Sequence, residues 1–194
     1  MQDLTSYKKE KITVNIVWAN VFGFIVLIPT LICFALPYYL IWGFDGDFIH
    51  HISSSEAPQI IFGSLRLVLV LLLGIIAHEL IHGLVWAFFA SKGFRSISFG
   101  VIWELLTPYC HCKEPLTVRQ YIWGAMAPAV LLGVLPALVA LWTGLQGWLL
   151  FGVFFTVAGS GDFLVVNSLR KENKSDLVQD HPSEAGCYIF RKIV

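Results

Sequence analysis

The sequence predicts an all-α polytopic membrane protein of about four transmembrane helices, with a possible short β-hairpin between the second and third. Three observations carry that expectation. Of the 194 residues, 57% are hydrophobic and only 13% are charged, where soluble domains carry ~25% charged residues. Mean hydropathy is +0.73, which is more apolar surface than a core of this size could hide. The few charges are not scattered: nearly all lie between the apolar runs. The same figures exclude disorder, collagen and coiled coil. A formal net charge of zero, from 13 basic and 13 acidic residues, removes any global argument for nucleic acid. Four cysteines are too few for a disulfide scaffold.

A spanning helix needs roughly 17–25 mainly apolar residues, and four windows qualify: 16–42, 67–90, 121–143 and 148–169. The first is too long for a signal-peptide core and lacks a small-residue cleavage site, so it reads as a retained, proline-bent span. The second is preceded by a further apolar stretch that includes Arg66, placed to snorkel at the outer end of its helix. The third carries Pro128 and Pro136 and is expected to kink. Trp42, Trp123, Trp142 and Trp148 fall at segment edges, where interfacial aromatics sit. One domain covers 1–194, with a tail over 170–194.

Lys and Arg set the orientation. The N-terminus carries Lys8, Lys9 and Lys11, the 91–120 loop carries Lys92, Arg95, Lys113 and Arg119, and the tail carries Arg170, Lys171, Lys174, Arg191 and Lys192. The connections at 43–59 and 144–147 have none. Every basic residue except Arg66 therefore lies on one side, and the positive-inside rule makes both termini cytoplasmic. The expected location is a multi-pass plasma membrane of bacterial type, although several eukaryotic membranes suit the same charge pattern. Within the 91–120 loop, apolar residues at 97, 99, 101 and 103 alternate with strand period. The segment Leu106–Cys112 offers a second strand, weakened by Pro108.

Two acids remain inside the windows, Glu79 and Asp162. A carboxylate in the bilayer costs a few kcal/mol, so such residues usually line a functional cavity. Glu79 stands within His78-Glu79-Leu80-Ile81-His82, an HExxH motif. On a helix the two histidines share a face and can reach one metal, while Glu79 is placed to act as general base toward a water beside it. Catalytic zinc usually takes a third protein ligand. At 1.5 Å per residue, His78 and His82 lie roughly 17 and 22 Å into their window and Asp162 roughly 21 Å into its own, so all three share a layer. Glu104, 22 residues after His82, is the alternative third ligand; its place in a loop favours Asp162. Gly159 and Gly161 permit close approach beside that residue.

These residues resemble the site-2 protease class of intramembrane metalloproteases, in which an HExxH helix and an Asp on a later helix hold zinc within the bilayer. More closely, the chain resembles a small membrane family of zincin peptidases. The resemblance runs through His78-Glu79-Leu80-Ile81-His82-Gly83, Tyr109-Cys110-His111-Cys112-Lys113-Glu114-Pro115-Leu116, Ala127-Pro128, Gly161-Asp162, Asp180-His181-Pro182 and Gly186-Cys187. It departs from site-2 proteases around Asp162, where Ala158-Gly159-Ser160-Gly161 replaces their Asn-Pro and Leu-Asp-Gly elements. The resemblance implies one zinc ion per chain on His78, His82 and Asp162, with Glu79 as base. It also implies a membrane protein or peptide as substrate, and hints that the tail folds back on the site.

The other candidates read more plainly. Cys110-His111-Cys112 lacks a fourth ligand at structural-zinc spacing and suits a strand better than a second metal site. His50-His51 suits a solvated loop, Asp180-His181-Pro182 a local turn, and Cys33 packing within an apolar helix. The expected activity is hydrolysis of a peptide bond within or beside the bilayer. The hairpin is expected to hold an unwound substrate by strand addition. Gly124, Pro128, Gly133 and Pro136 would line a water-accessible cavity. A non-proteolytic metal protein, for transport, sensing or scaffolding, is the alternative, and Glu79 discriminates between the two.

Overall fold

The computed structural model describes residues 6–14, 16–44, 57–103, 107–181 and 186–192. A first strand, β1 (Tyr7–Thr13), leads into α1 (Ile16–Thr30), a wide helical turn over Leu31–Ala35, and α2 (Leu36–Trp42). The long helix α3 (Ala57–Phe89) follows, then the hairpin β2 (Ile97–Ile102) and β3 (Thr107–Cys112), and the short β4 (Leu116–Thr117). Next come α4 (Val118–Pro128), a second wide turn over Ala129–Val134, and α5 (Leu135–Thr143). The chain closes with α6 (Gln146–Ala158), α7 (Ser160–Leu169), β5 (Leu177–Asp180) and β6 (Gly186–Lys192).

Three helices, Val21–Trp42, Ala57–Phe89 and Val118–Thr143, are long and apolar enough to cross a membrane. The pair α6 and α7, bent by 44° at Gly159, makes a fourth if counted as one span. The third expected helix thus starts three residues earlier, and the second starts at Ala57 instead of residue 67. Pro58 sits in its first turn, where a missing N–H costs nothing, and no breaker separates 57–66 from the rest. At 33 residues it is about 50 Å long. Both wide turns lie between prolines eight residues apart, Pro29 with Pro37 and Pro128 with Pro136. Each such pair removes ladder N–H donors, and the backbone accommodates the loss by widening locally.

The outer faces of these helices carry side chains that an aqueous surface would not favour, among them Phe24, Leu40, Phe62 and Phe88, the last 84% exposed. Cys33 is also exposed. The expected packing role is corrected: Cys33 faces outward with the neighbouring, exposed Ile32 rather than into the bundle. The four edge tryptophans are all exposed, Trp142 most of all.

The expectation of an all-α chain is corrected by a four-stranded antiparallel sheet of order β1-β6-β5-β4. Its register pairs Tyr7 with Lys192 and Thr13 with Gly186, so the chain's first and last strands are neighbours. The expected hairpin forms separately, with Ile97 opposite Cys112 and Ile102 opposite Thr107. The tail is therefore structured over most of its length. Alternation is visible in β6, whose Cys187 and Ile189 are fully buried between less buried neighbours. The sheet gathers the basic N-terminal segment, the end of the 91–120 loop and the tail at one end of the molecule.

The main core lies where sheet and helices meet. Trp86, Cys112, Leu116, Val118, Tyr121, Leu169, Val178, Cys187 and Ile189 pack together there. A smaller cluster of Tyr38, Ala140 and Leu149 closes the opposite end, where the Tyr38 hydroxyl donates to the Gly144 carbonyl at 2.6 Å.

One ion network clamps the sheet. Arg191 of β6 donates to both carboxylate oxygens of Glu172 at 2.8 Å and also pairs with Glu10 of β1. Lys8 and Arg191 hold the Glu10 carboxyl below its ordinary value of 4.5, and Arg191 does the same for Glu172. A carboxyl depressed in the folded state stabilises it above the unfolded pKa, and that contribution disappears as pH falls through the folded value. Arg191→Gln should therefore lower the thermal midpoint at pH 7, and the gap from the parent should close as pH falls below about 4.5. Thermal melts of the purified protein across pH 7 to pH 3 check this; a gap independent of pH would contradict it.

Candidate metal centre

Two turns of α3 set the first half of the site. Four residues of helix bring His78 and His82 onto one face, with ring centroids 4.8 Å apart. The other half comes from α7. The break at Gly159 turns the chain by 44°, and the new helix presents Asp162 in its first turn. Asp162 Oδ2 lies 3.3 Å from His78 Nε2 and Oδ1 lies 3.5 Å from His82 Nε2. One ligand atom from each of the three residues falls within 4.8 Å of the others. Side-chain exposures of 12%, 5% and 26% keep the group enclosed.

The donor set fits zinc. Zn–N and Zn–O bonds of roughly 2.0–2.2 Å in tetrahedral geometry place neighbouring ligand atoms about 3.3–3.6 Å apart, which is the separation observed between the carboxylate oxygens and both imidazoles. Two imidazoles and one carboxylate leave a fourth position for water or substrate, as catalytic zinc sites do. His78 Nδ1 is buried with no hydrogen-bond partner among the described residues, and the ring meets Asp162 through Nε2. Two carboxylates, Asp162 and Glu79, would balance a divalent ion.

His82 is the better anchored imidazole. Its Nδ1 lies 2.9 Å from the Gly124 carbonyl of α4; a carbonyl only accepts, so Nδ1 carries a hydrogen and Nε2, the nitrogen nearest Asp162, is the one that would ligate a metal. The Trp86 ring lies between His82 and Tyr121, stacked on each at 5.1 and 5.2 Å. Its indole N–H donates to the Tyr121 carbonyl at 3.1 Å. This packing requires glycine at 124, because a Cβ there would stand 2.0 Å from Trp86 Nε1.

Glu79 is partly buried and adjoins the hairpin, where the Cys110 backbone amide lies against its carboxylate. The hairpin reaches this position through Gly83, whose added Cβ would come within 2.6 Å of the Phe99 ring and 3.2 Å of Cys110 Sγ. Glu104, the alternative third ligand, lies outside the described residues, as do His50-His51 and Pro182. Cys110, His111 and Cys112 are strand residues of β3, and among the described residues they assemble no second metal-ligand group. Burial pushes the Cys112 thiol up to about 11 and the Cys187 thiol up to about 12, as for structural cysteines.

Local sequence reading missed the supports. Trp86 stands four residues after His82, which is a signal visible in hindsight. Asp180 reads locally as a turn residue, and only the family resemblance hints that the tail folds back on the site; its burial beside Tyr121 and β3 depends on contacts more than fifty residues away.

Gly124→Ala should displace Trp86 or α4 and destabilise the protein by about 1–3 kcal/mol through overpacking. It should also weaken metal uptake, because the carbonyl that orients His82 belongs to the same residue. Denaturant melts and metal titration of the purified variant check both effects; unchanged stability would show that the interface yields freely.

No curated protein and no solved structure matches the chain. Residues 71–177 match a family described as “Putative zincin peptidase”. This segment contains both histidines, Glu79, Asp162, the hairpin and α4. Zincins are zinc metallopeptidases, and among the described residues the His-His-Asp group could hold the ion. The match takes in more than half of the residues, and on that ground the chain belongs to this zincin peptidase family.

Proposed function

We propose that the protein is a membrane-embedded zinc metallopeptidase that hydrolyses peptide bonds within or beside the bilayer, with both termini cytoplasmic. The observation that carries this reading is the convergence of His78, His82 and Asp162, with Glu79 next in sequence, on helices whose outer faces are apolar. His78, His82 and Asp162 would hold the metal. A zinc ion there would supply Lewis acidity toward the scissile carbonyl and toward a nearby water. Glu79 takes the proton of the attacking water on its carboxylate and delivers it to the leaving amine.

Peptide hydrolysis needs an extended substrate, since a helix ties its carbonyls into its own ladder. The β2–β3 hairpin adjoins Glu79, and its two-stranded sheet has edges onto which an unwound segment can add as a further strand. Such a segment would pass Glu79 and the ligands in the conformation that cleavage requires.

Glu79→Gln should retain about one zinc per chain while lowering turnover by about 10²–10⁴-fold, and His82→Ala or Asp162→Asn should lose the metal. In native membranes, Glu79→Gln should accumulate an uncleaved membrane protein, identified by capture and mass spectrometry. If nothing accumulates relative to the parent, or if Glu79→Gln leaves a metal-transport activity intact, the peptidase reading fails.

A further inference from the structure

Strand β5 ends on a carboxylate that the proposed chemistry does not use. Asp180 is 8% exposed and lies beyond the family-matched segment, which ends at residue 177. Its Oδ1 accepts from the Tyr121 hydroxyl of α4 at 2.6 Å, and its Oδ2 accepts from the Cys112 backbone amide of β3 at 2.7 Å. Hydrogen bonds to a carboxylate are shorter and roughly twice as strong as neutral ones. Gln179, one residue earlier, donates its side-chain amide to the Lys113 carbonyl at 2.6 Å, which fixes the strand beside the hairpin's base.

Both partners of Asp180 lead to the metal centre. Tyr121 stacks on Trp86 and accepts its indole N–H, Trp86 stacks on His82, and Gly124, one turn after Tyr121, accepts from His82. Cys112 is two residues from Cys110, whose amide lies against Glu79. We propose that Asp180 is a positioning residue of this centre: one tail carboxylate fixes α4 and β3 to each other, and so orients His82 and places Glu79. The inference rests on the zinc-peptidase reading. A carboxylate suits the task because its two oxygens accept from two donors at once. An amide would turn an N–H₂ toward one of them. Burying the acid in an apolar core is costly, and core packing alone would be better served by an apolar residue.

The test uses the full-length purified protein with three substitutions: Asp180→Asn, Tyr121→Phe and, in the same sheet but away from the centre, Arg191→Gln. Zinc affinity is read by chelator competition, coordination by the visible spectrum of the cobalt-loaded protein, and fold by the thermal midpoint of the zinc-free protein. Asp180→Asn and Tyr121→Phe should weaken zinc binding about 10–100-fold, as loss of support around ligands does, and change the cobalt spectrum. Arg191→Gln should lower the midpoint and leave zinc affinity and spectrum unchanged. If Asp180→Asn does not fold, Tyr121→Phe decides, since it keeps the Cys112 bond and the Tyr121 carbonyl. Variants binding zinc within about twofold of the parent, or Arg191→Gln weakening it as much, would overturn the positioning role alone. A parent protein that takes up no zinc would overturn the peptidase reading and this inference with it.

Discussion

Two imidazoles and a carboxylate stand among helices whose outer faces are almost wholly apolar, and none of the three would be tolerable there by itself. An isolated charge or unpaired ring nitrogen in such surroundings costs several kcal/mol. Their convergence within 4.8 Å gives each a polar neighbour, and it restricts the rest of the architecture. Helix α3 must present one face to α7, the chain must turn at Gly159 to supply Asp162, and α4 must approach closely enough to offer a carbonyl to His82. The same convergence leaves a position where a divalent ion would be held by three ligands with Glu79 alongside.

The close approach of α3 and α4 is the second constraint, and it belongs to Gly124 and Trp86. The indole fills the space a side chain at 124 would occupy, and it separates the His82 and Tyr121 rings by ordinary stacking distances. From there the support passes out of the helices into the sheet through Asp180. The sheet is thus more than an appendage on a helical bundle. It joins the main core through Leu116, Val178, Cys187 and Ile189, and it is held at its outer edge by the Glu10–Arg191–Glu172 network.

Much of this was readable residue by residue. The i, i+4 spacing placed His78 and His82 on one face, and counting rise per residue put Asp162 at their depth. The alternation at 97–103 marked the hairpin. What escaped had a common cause. Strand β1 is a seven-residue segment rich in lysine and β5 has four residues, too short for periodicity to separate them from loop. Their pairing is decided by β6, which lies more than 170 residues from β1. Asp180 read as a turn residue because its partners, Tyr121 and Cys112, are distant in the chain. The early start of α3 was missed for another reason: Arg66 interrupts the apolar pattern but not the helix, since a charge with a long aliphatic stem breaks no backbone hydrogen bond.

The sequence by itself determined the apolar helices, the one-sided distribution of basic residues and the chemical types gathered in HExxH and at Asp162. These follow from local quantities: hydropathy over a window, charge between windows and the 3.6-residue helical period. Only the tertiary structure decided that the chain carries a sheet closing its two ends together. It also decided that Trp86, Gly124, Tyr121 and Asp180 form a continuous support behind His82. Those relations depend on which surfaces meet when the helices pack, and packing is a property of the whole chain that no local window contains.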